Sequence, residues 1–509
     1  MSSFPKPIAD LKPNTYAFEV NPLIKPTGFR EYDARWWYGV PSSSQAPELN
    51  LMGVTALGMA IGTYLGEIDV RKEIVTGHDY RAYSSAIKTA LIAGLMASGC
   101  RVYDIGLAMT PMAYFAQFNL DVPAVAMVTA SHNENGWTGV KMGARRPITF
   151  GPDEINRVKD IVFQSAYDLS GGGSYVFVEG FAERYIADLT ARPKFTRKIR
   201  AVVACGNGTA GAFAPTVLER LGVEVIPMDT TLDYNFPRYN PNPEDMEMLH
   251  AMAKTVKEHG ADVGLGFDGD GDRCGVIDNT GDEIFADKVG VMLARDLSAL
   301  HKGATFVVDV KSTGLYATDP VLIANEVHPD YWKTGHSYIK RRVNELNALA
   351  GFEKSGHFFF NAPIGRGYDD GLVSAIAVLD MLDRNPDKSM ADLKNALPKT
   401  WGSPTMSAHC ADETKYGVAD AVRDYFVALK DKGGTIEGGH AIADLVTVNG
   451  VRVVADDGSW GLVRASSNKP ELVVVVESPV SEARMREMFK VVDSALRQHP
   501  EVGAYNQTI

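Results

Sequence analysis

The segment VGLGFDGDGDR, residues 263–273, joins a short apolar run to three aspartates on alternate positions. The run Val263–Phe267 is typical of a buried strand, and Asp268, Asp270 and Asp272 follow it with glycines between them. Alternating side chains of an extended loop can converge on one hard cation, and carboxylate oxygens suit magnesium or calcium. The segment therefore predicts a strand followed by a metal-binding loop.

An EF-hand calcium loop is the obvious alternative for this segment, but its spacing does not fit. The sixth position of such a loop is Arg273, where glycine is required, and the twelfth is Asn279, where a bidentate glutamate is required. Arg273 also places a fixed positive charge beside the carboxylates. That charge suits a site in which a phosphate oxygen completes the metal shell.

A second apolar run, residues 124–130, leads into the polar loop SHNENG at residues 131–136. We expect Ser131 to be exposed at the carboxyl end of this strand, where α/β sheets present ligand-binding groups. The Gly-x-Ser-x-Gly pattern is absent, which disfavours serine hydrolase chemistry. Alone, Ser131 and His132 also fit an ordinary polar turn, but together with the aspartate loop they favour a nucleophilic serine.

Short β-branched runs alternate with helical periodicities along the rest of the chain, which favours α/β domains. Strands are predicted at residues 202–203, 263–267, 306–310 and 472–476, and helices at residues 86–98 and near the end of the chain. In the last helix, apolar residues recur at helical spacing and are predicted to be core: Met485, Met488, Phe489, Val492, Ala495 and Leu496. A chain of 509 residues suggests about three to five domains. Loops or linkers are predicted at residues 170–174, 278–282 and 397–404.

The bulk properties exclude several function classes. A formal net charge of −12 argues against a nucleic-acid-binding surface, so the positive site for any anionic ligand must be local. The four cysteines, Cys100, Cys205, Cys274 and Cys410, lack metal-ligand spacing and are predicted to be buried thiols in a reducing compartment. There is no apolar run of membrane-spanning length and no secretory signal, so we expect a cytoplasmic protein without a membrane partner.

Three further clusters offer groups for a phosphorylated sugar. Lys311 follows a predicted strand, and the loop KTGHS at residues 333–337 precedes a helical stretch, so both could reach a phosphate. The loop EKSGH at residues 353–357 places a carboxylate, a hydroxyl and an imidazole on alternate positions, which suits sugar hydroxyls or, alternatively, a solvated turn. Arg464 precedes the small residues ASSN, and this combination could cradle a phosphate.

Together these segments resemble the α-D-phosphohexomutase superfamily, and most closely its phosphomannomutase/phosphoglucomutase branch. The resemblance rests on residues 28–35, 129–133, 268–273, 309–313, 333–337, 353–357, 368–371 and 464–470. It implies an α/β protein of four domains around a central cleft, with three related α/β domains and a distinct C-terminal α+β domain. The expected domains are residues 1–175 with the phosphoserine loop, 176–281 with the metal loop, 282–398 with the sugar loop, and 399–509 with the phosphate loop.

The resemblance also implies a reaction and a set of site residues. Ser131 would carry a phosphoryl group that moves between the 1- and 6-positions of mannose and/or glucose through a hexose 1,6-bisphosphate. Magnesium would be held by Ser131, Asp268, Asp270 and Asp272. The other catalytic residues would be Arg35, His132, Lys141 and His336, with Lys141 or His336 assisting proton transfer. The substrate-binding residues would be Tyr32, Arg273, Lys311, Thr334, Gly335, Glu353, Ser355, His357, Arg464, Ser466, Ser467 and Asn468.

Three positions depart from the pattern of the family. Phe352 replaces the usual glycine before the sugar loop, Glu134 replaces a common proline in the serine loop, and Ser467 falls where the phosphate loop commonly has asparagine. The alternatives are a phosphoglucosamine mutase and a non-catalytic sugar-phosphate-binding protein. The presence together of Ser131, the three aspartates and Arg273 argues against a protein that only binds. The sequence does not indicate an oligomeric state.

Overall fold

A computed structural model describes residues 4–41, 43–467, 469–507 and 509. The chain divides into two compact units, and each unit combines two separate stretches of sequence. Unit 1 comprises Met1–Phe285 and Ser355–Ala391, and unit 2 comprises Ala286–Lys354 and Asp392–Ile509. The chain therefore passes from one unit to the other three times.

Helices occur throughout the chain. In chain order they are α1 (Tyr16–Val20), α2 (Leu51–Glu67), α3 (Ser84–Ala97), α4 (Thr110–Asn119), α5 (Pro152–Gln164), α6 (Phe181–Thr190), α7 (Ala214–Arg220), α8 (Met246–His259), α9 (Ala286–Leu300), α10 (Leu315–Thr318), α11 (Pro320–Ala324), α12 (His336–Glu345), α13 (Gly371–Arg384), α14 (Met390–Asn395), α15 (Lys415–Asp431) and α16 (Glu482–Leu496). Short 3₁₀ segments lie at Pro26–Gly28 and Thr209–Ala212. Among the described residues, every helix is too short or too polar to cross a membrane.

The strands alternate with these helices as the sequence predicted. In chain order they are β1 (Ala34–Trp37), β2 (Glu73–His78), β3 (Arg101–Leu107), β4 (Ala124–Val128), β5 (Trp137–Gly143), β6 (Ser174–Phe177), β7 (Arg200–Ala204), β8 (Glu224–Met228), β9 (Val263–Phe267), β10 (Cys274–Asp278), β11 (Glu283–Ile284), β12 (Thr305–Asp309), β13 (His328–Trp332), β14 (Ala350–Phe352), β15 (Phe358–Phe360), β16 (Tyr368–Asp369), β17 (Trp401–Gly402), β18 (Met406–His409), β19 (Ile442–Val446), β20 (Val451–Ala455), β21 (Trp460–Ala465) and β22 (Glu471–Ser478).

The first sheet of unit 1 has the strand order β1-β5-β4-β2-β3-β6. Strands β4, β2, β3 and β6 are parallel, whereas β5 is antiparallel to both β4 and β1. The carboxyl ends of β2 and β4 therefore lie at the same edge of the sheet, as parallel strands require. Residues 79–81 and the serine loop leave the sheet at this edge.

The second sheet of unit 1 has the order β11-β10-β9-β7-β8. Strands β9, β7 and β8 are parallel, and β10 is antiparallel to β9 with Cys274 opposite Phe267. The aspartate loop is the connection between these two paired residues. Strands β15 and β16 form an antiparallel pair that is also part of unit 1, and helix α13 follows with Asp370 capping its first N–H groups.

Unit 2 contains parallel and antiparallel strand arrangements. Strand β12 lies between β13 and β14 and is parallel to both. The second arrangement is the antiparallel order β17-β22-β21-β20-β19, with β18 also pairing with β22. Helices α15 and α16 contribute their buried faces to the apolar core of this antiparallel sheet. The C-terminal region is therefore an α+β arrangement, as expected.

Most predicted elements are confirmed. The predicted helix at 86–98 is α3, and the apolar stripe near the chain end lies in α16, where Met485, Met488 and Leu496 are buried. The four cysteines are free and buried, as predicted. The expected domain boundary at residue 175 falls inside β6, which pairs with β3, and the turn at 278–282 joins β10 to β11 within one sheet.

Candidate active site

Ser131 lies three residues beyond the end of β4, with its backbone in the left-handed region at a φ of 52°. Its hydroxyl donates to Asp268 Oδ2 over 3.1 Å and lies 3.4 Å from His132 Nδ1. The expectation that Ser131 is exposed is wrong, because only 1% of the residue is accessible. The aspartate loop of the second sheet covers it, so the serine and the carboxylates form one site.

The glycines of the aspartate loop make this close approach possible. A Cβ on Gly269 would lie 2.6 Å from the carbonyl oxygen of Ser131, which is closer than carbon and oxygen can approach. Gly271 has a φ of +71°, and a Cβ there would also meet Met109 at 2.5 Å. The alternation of aspartate and glycine therefore has two effects. The aspartates direct their carboxylates into the site, and the glycines leave room for the serine loop to pack.

The three aspartates converge inside unit 1. Asp268, Asp270 and Asp272 are fully buried, and one carboxylate oxygen from each lies within 4.8 Å of the others. The hydroxyl of Thr110 donates to Asp270 Oδ2 over 2.6 Å, and Lys141 Nζ donates to the same oxygen over 2.9 Å. Lys141 also forms an ion pair with Asp272. The three carboxylates therefore lie close enough together to share one site, as the sequence predicted.

Charges within the cluster shift the pKa values of its members. Burial and the neighbouring carboxylates of Asp270 and Asp272 raise the pKa of Asp268 well above its ordinary value. Burial alone would lower the pKa of Lys141, but the same two carboxylates raise it well above its ordinary value. Burial likewise opposes ionisation of Asp270, yet Lys141 and the Thr110 hydroxyl lower its pKa.

Unused oxygens in this cluster fit a bound cation. Oδ1 of Asp270 and Oδ1 of Asp272 are buried and have no hydrogen-bond partner among the residues that the structure describes. Buried carboxylate oxygens without a partner are costly unless a cation or proton neutralises them. The donor set consists of hard oxygens, including the nearby Ser131 hydroxyl, and this set suits a divalent cation such as magnesium.

Arg273 and His357 extend the site toward the β15–β16 pair. Arg273 Nε donates to His357 Nε2 over 2.9 Å, and His357 Nδ1 lies 3.0 Å from Asp369 Oδ2. A guanidinium can only donate, so Nε2 is the acceptor of this hydrogen bond. The imidazole of His357 thus accepts a hydrogen bond from Arg273 and lies beside Asp272, whose Oδ1 lies 3.5 Å from Nδ1.

Arg35 contacts the serine loop from the first sheet. Arg35 pairs with Asp33 at 2.9 Å and donates to Asn133 Oδ1 over 2.7 Å. Burial and the positive charges of Arg273 and Arg35 lower the pKa of His132 well below its ordinary value. Tyr32 is also buried. The guanidinium groups of Arg273 and Arg35 therefore lie close enough to the serine loop to oppose protonation of His132.

The residues expected at the sugar loop are divided between the units. Glu353 belongs to unit 2, whereas Ser355 and His357 belong to unit 1. Within unit 2, Glu353 Oε1 accepts the N–H of Gly335 over 2.9 Å, so these two predicted residues are in contact. Both Glu353 and His357 are 3% exposed, which excludes a solvated turn for their side chains.

The other predicted residues of unit 2 occupy strand ends and a helix start. The Lys311 N–H donates to Asp309 Oδ1 over 2.7 Å just beyond β12. The Thr334 N–H lies 3.4 Å from Asn449 Oδ1, and His336 is the buried first residue of α12.

The expected phosphate loop begins within β21, which contains Arg464, and continues beyond the strand. Arg464, 6% exposed, donates from Nη1 to the carbonyl of Ala465 over 2.8 Å. Ser466 Oγ accepts the N–H of Lys469 over 3.3 Å, and Ser467 lies in the adjoining bend. Asn468 lies outside the described residues.

Sequence comparisons match each region of this architecture to one family. Residues 27–168, 178–281 and 285–401 match phosphoglucomutase/phosphomannomutase alpha/beta/alpha domains I, II and III, and residues 409–495 match the C-terminal domain. The chain belongs to the phosphoglucomutase/phosphomannomutase family. It is therefore a phosphohexomutase, an isomerase of carbohydrate metabolism, with three α/β domains and a C-terminal domain.

Individual relatives support this assignment along nearly the whole chain. A phosphomannomutase/phosphoglucomutase of Pseudomonas putida is 34% identical over 477 residues, which cover 93% of this chain and 96% of the relative. A phosphoglucomutase of Neisseria gonorrhoeae is 30% identical over 466 residues, which cover 91% and 96%. The crystal structure of a phosphoglucomutase/phosphomannomutase family protein from Burkholderia thailandensis has a TM-score of 0.81 at 29% identity, with 93% and 98% coverage.

Sequence reasoning missed several residues that contact the site of this phosphohexomutase. The Thr110 hydroxyl donates to Asp270, and Asp369 Oδ2 lies 3.0 Å from His357 Nδ1. Asp79 and Arg81 follow β2 and contact the serine loop. Their position directly after a buried strand is the signal that identified Ser131, and it could have identified Asp79 as well.

Proposed function

We propose that this phosphohexomutase moves a phosphoryl group between the 1- and 6-positions of mannose and/or glucose through a phosphoserine at Ser131. The observation that supports this proposal most directly is the 3.1 Å distance between Ser131 Oγ and Asp268 Oδ2, beside two further buried carboxylates. Phosphoserine would donate its phosphoryl group to a hexose 1-phosphate and give a hexose 1,6-bisphosphate. The bisphosphate would then reorient, its 1-phosphoryl group would pass to the Ser131 hydroxyl, and hexose 6-phosphate would leave the phosphorylated enzyme.

Magnesium is the proposed cofactor, held by Asp268, Asp270, Asp272 and an oxygen of phosphorylated Ser131. Its chemistry would be neutralisation of charge on the phosphoryl oxygens. The buried Oδ1 atoms of Asp270 and Asp272, which lack hydrogen bonds among the described residues, support this assignment.

The chain's own cationic groups are proposed to position the phosphoryl group and neutralise its charge. Phosphoryl transfer depends mainly on positioning and charge stabilisation, and Arg35 and Arg273 are fixed by partners close to the serine loop. Lys141 and His336 are the two candidates for proton transfer. The pH dependence of kcat in Lys141→Gln and His336→Gln variants would separate them, because only loss of the true acid or base removes one limb of the profile.

The remaining expected residues have proposed roles in substrate binding. Sugar hydroxyls would be bound by Glu353, Ser355 and His357, and the distal phosphate by Arg464, Ser466, Ser467 and Asn468. Tyr32, His132, Lys311, Thr334 and Gly335 would line the remaining surface. We propose the four domains at residues 1–175, 176–281, 282–398 and 399–509. A cytoplasmic location is also proposed, supported by four free buried thiols.

The proposal is tested by initial rates measured in the presence of magnesium. Mannose 1-phosphate, glucose 1-phosphate and glucosamine 1-phosphate are compared side by side. We expect turnover of mannose or glucose 1-phosphate and one phosphoryl group on the active protein by intact mass. Preference for glucosamine 1-phosphate would indicate a phosphoglucosamine mutase instead. A protein that forms no phosphoserine and equilibrates none of the isomers would contradict the proposal.

A further inference from the structure

A buried ion pair lies directly beneath the serine loop. Asp79 and Arg81 follow β2 and pair with each other, and both side chains are 1% exposed. The carboxylate of Asp79 also accepts hydrogen bonds from the hydroxyls of Ser84, at 2.6 Å, and Thr129, at 2.9 Å. Among the described residues, neither member of this pair forms a hydrogen bond or an ion pair with the three aspartates of the aspartate loop.

The pair fixes both sides of the Ser131 backbone. Arg81 Nη2 donates to the carbonyl oxygens of Ser131, at 2.9 Å, and Asn133, at 2.8 Å. On the other side, the Ser131 N–H donates to Thr129 Oγ1 over 2.9 Å, and that hydroxyl donates in turn to Asp79. The N–H and the carbonyl of the serine are thus both held by one ion pair.

This arrangement explains how Ser131 keeps an unfavourable backbone conformation. A non-glycine residue at a φ of 52° is disfavoured by contact between its Cβ and the backbone, and it persists only where its surroundings hold it. Any relaxation of this φ would rotate the hydroxyl away from Asp268. The direction of the hydroxyl therefore depends on the hydrogen bonds to Thr129 and Arg81.

We infer that Asp79, Arg81 and Thr129 are positioning residues that hold Ser131 in its left-handed conformation and aim its hydroxyl, or its phosphoryl group, at the aspartate loop. The inference rests on the proposed role of Ser131. The three residues act through the backbone of Ser131 and do not contact the metal carboxylates. They should therefore influence kcat and the rate of serine phosphorylation more than substrate or magnesium affinity.

The matched variants Thr129→Val and Thr129→Ser test this inference. Valine keeps the shape and removes the hydroxyl, and we expect kcat to fall roughly 10- to 100-fold, as for a small misplacement of a reacting group. KM and the magnesium concentration for half-maximal activity should change less than about threefold. Phosphorylation of Ser131 by glucose 1,6-bisphosphate, followed by intact mass, should slow in parallel, and Thr129→Ser should restore most of both rates.

Arg81→Lys is the second variant, because lysine keeps the charge for Asp79 but loses the fork that reaches two carbonyls. We expect the same loss of kcat with KM retained, in protein whose thermal unfolding shows it to be folded. Wild-type kcat and phosphorylation rates in folded Thr129→Val would overturn the inference, as would failure of Thr129→Ser to restore activity. Absence of mutase activity in the wild-type protein would instead refute the proposed function.

Discussion

Ser131 has a buried hydroxyl and a left-handed backbone conformation. Its carboxylate partner belongs to a loop 137 positions away in the sequence. A backbone in this region costs about 1–2 kcal/mol for a residue with a Cβ. Because Gly269 has no side chain, it leaves space for the Ser131 carbonyl oxygen. The hydrogen bonds to the Ser131 backbone offset the free-energy cost of its left-handed conformation. The strain and its compensation are concentrated at the residue to which the chemistry is assigned.

Ser131→Ala should abolish nearly all turnover, because it deletes the oxygen that would carry the phosphoryl group. The fold and the binding of hexose phosphate should be retained, since the change removes one atom from a packed site. Intact mass should show one phosphoryl group on the active wild-type protein and none on the variant. Comparable turnover by the two proteins would show that Ser131 is not the nucleophile.

Asp270→Asn should reduce activity by orders of magnitude and move the magnesium titration to higher concentration. The amide keeps the size of the side chain but removes a negative ligand from a hard cation. Asp121→Asn, which changes an exposed aspartate of the same unit, is the matched control. Its magnesium titration should equal that of the wild type. If the magnesium titration of Asp270→Asn is unchanged, the three aspartates have a structural role only.

The sequence predicted the members of the site better than their environment. Ser131 and the aspartate loop each follow an apolar run, and this local pattern is sufficient to place them at strand ends. The burial of Ser131 depends on contact with residue 268, and the roles of Arg81 and Thr110 depend on loops from other parts of the chain. Such contacts are set by the packing of sheets and have no local sequence signal.

At the scale of elements, β22 carries a buried carboxylate that joins several parts of unit 2. Glu477 Oε2 pairs with Lys288 of α9 at 3.0 Å, and Oε1 accepts the N–H of Gly314 at 2.8 Å and the indole N–H of Trp460 at 3.1 Å. The hydroxyl of Thr313 donates to Oε1 over 2.9 Å. One residue thus links the antiparallel sheet to the segments that flank β12.

Stability of unit 2 should fall in acid through Glu477. Burial opposes ionisation of this carboxyl, but Lys288 and the Gly314 N–H lower its pKa from 4.5 to about 2. Ionised Glu477 therefore stabilises the fold fully above pH 4.5, and this contribution is lost as the pH falls toward about 2. Its size is on the order of 3 kcal/mol.

Glu477→Gln should lower the free energy of unfolding by that amount at pH 7, and the difference from wild type should shrink as the pH approaches 2.5–3. Urea unfolding followed by tryptophan fluorescence measures it, because Trp460 contacts the carboxylate. Glu471→Gln is the control, since the Glu471 side chain forms no ion pair or hydrogen bond among the described residues. A pH-independent difference would contradict the assignment.

Element boundaries show where sequence patterns stop being informative. The glycine-rich segment 170–174 is followed by β6, which adds the edge strand to the first sheet. The DNTGD turn at 278–282 connects β10 and β11 of one sheet. Turn residues identify a reversal of the chain, but whether the next strand joins the same sheet depends on pairing distant in sequence.

At the scale of the whole molecule, unit 1 is incomplete without a segment from late in the chain. Ser355–Ala391 contributes the β15–β16 pair, helix α13 and His357, which accepts a hydrogen bond from Arg273 at the end of the aspartate loop. Tyr185 donates to Asp370 over 2.8 Å, and the Gly371 N–H donates to the carbonyl of Gly271 over 3.1 Å. The late segment therefore supports the loop that holds the three aspartates.

A polypeptide of residues 1–285 should accordingly fail to form a stable metal site. It lacks the buried aromatic residues Phe358, Phe359 and Phe360 as well as the backbone contact to Gly271, and each missing core side chain removes about 1.5–3 kcal/mol. Thermal unfolding and magnesium titration, compared with the full chain, measure the loss. A cooperative transition at the temperature of the full-length protein, with equal magnesium affinity, would contradict this expectation.

The interleaving of the two units also has a consequence for synthesis on the ribosome. The last of the residues that complete unit 1, Ala391, emerges about 100 residues after Phe285, and the first part of unit 2, Ala286–Lys354, is synthesised in between. At translation rates of about 5–20 residues per second, the nascent N-terminal stretch waits roughly 5–20 seconds with part of its apolar surface uncovered. We expect chaperones that shield nascent chains to raise the yield of active enzyme mainly by protecting this interval.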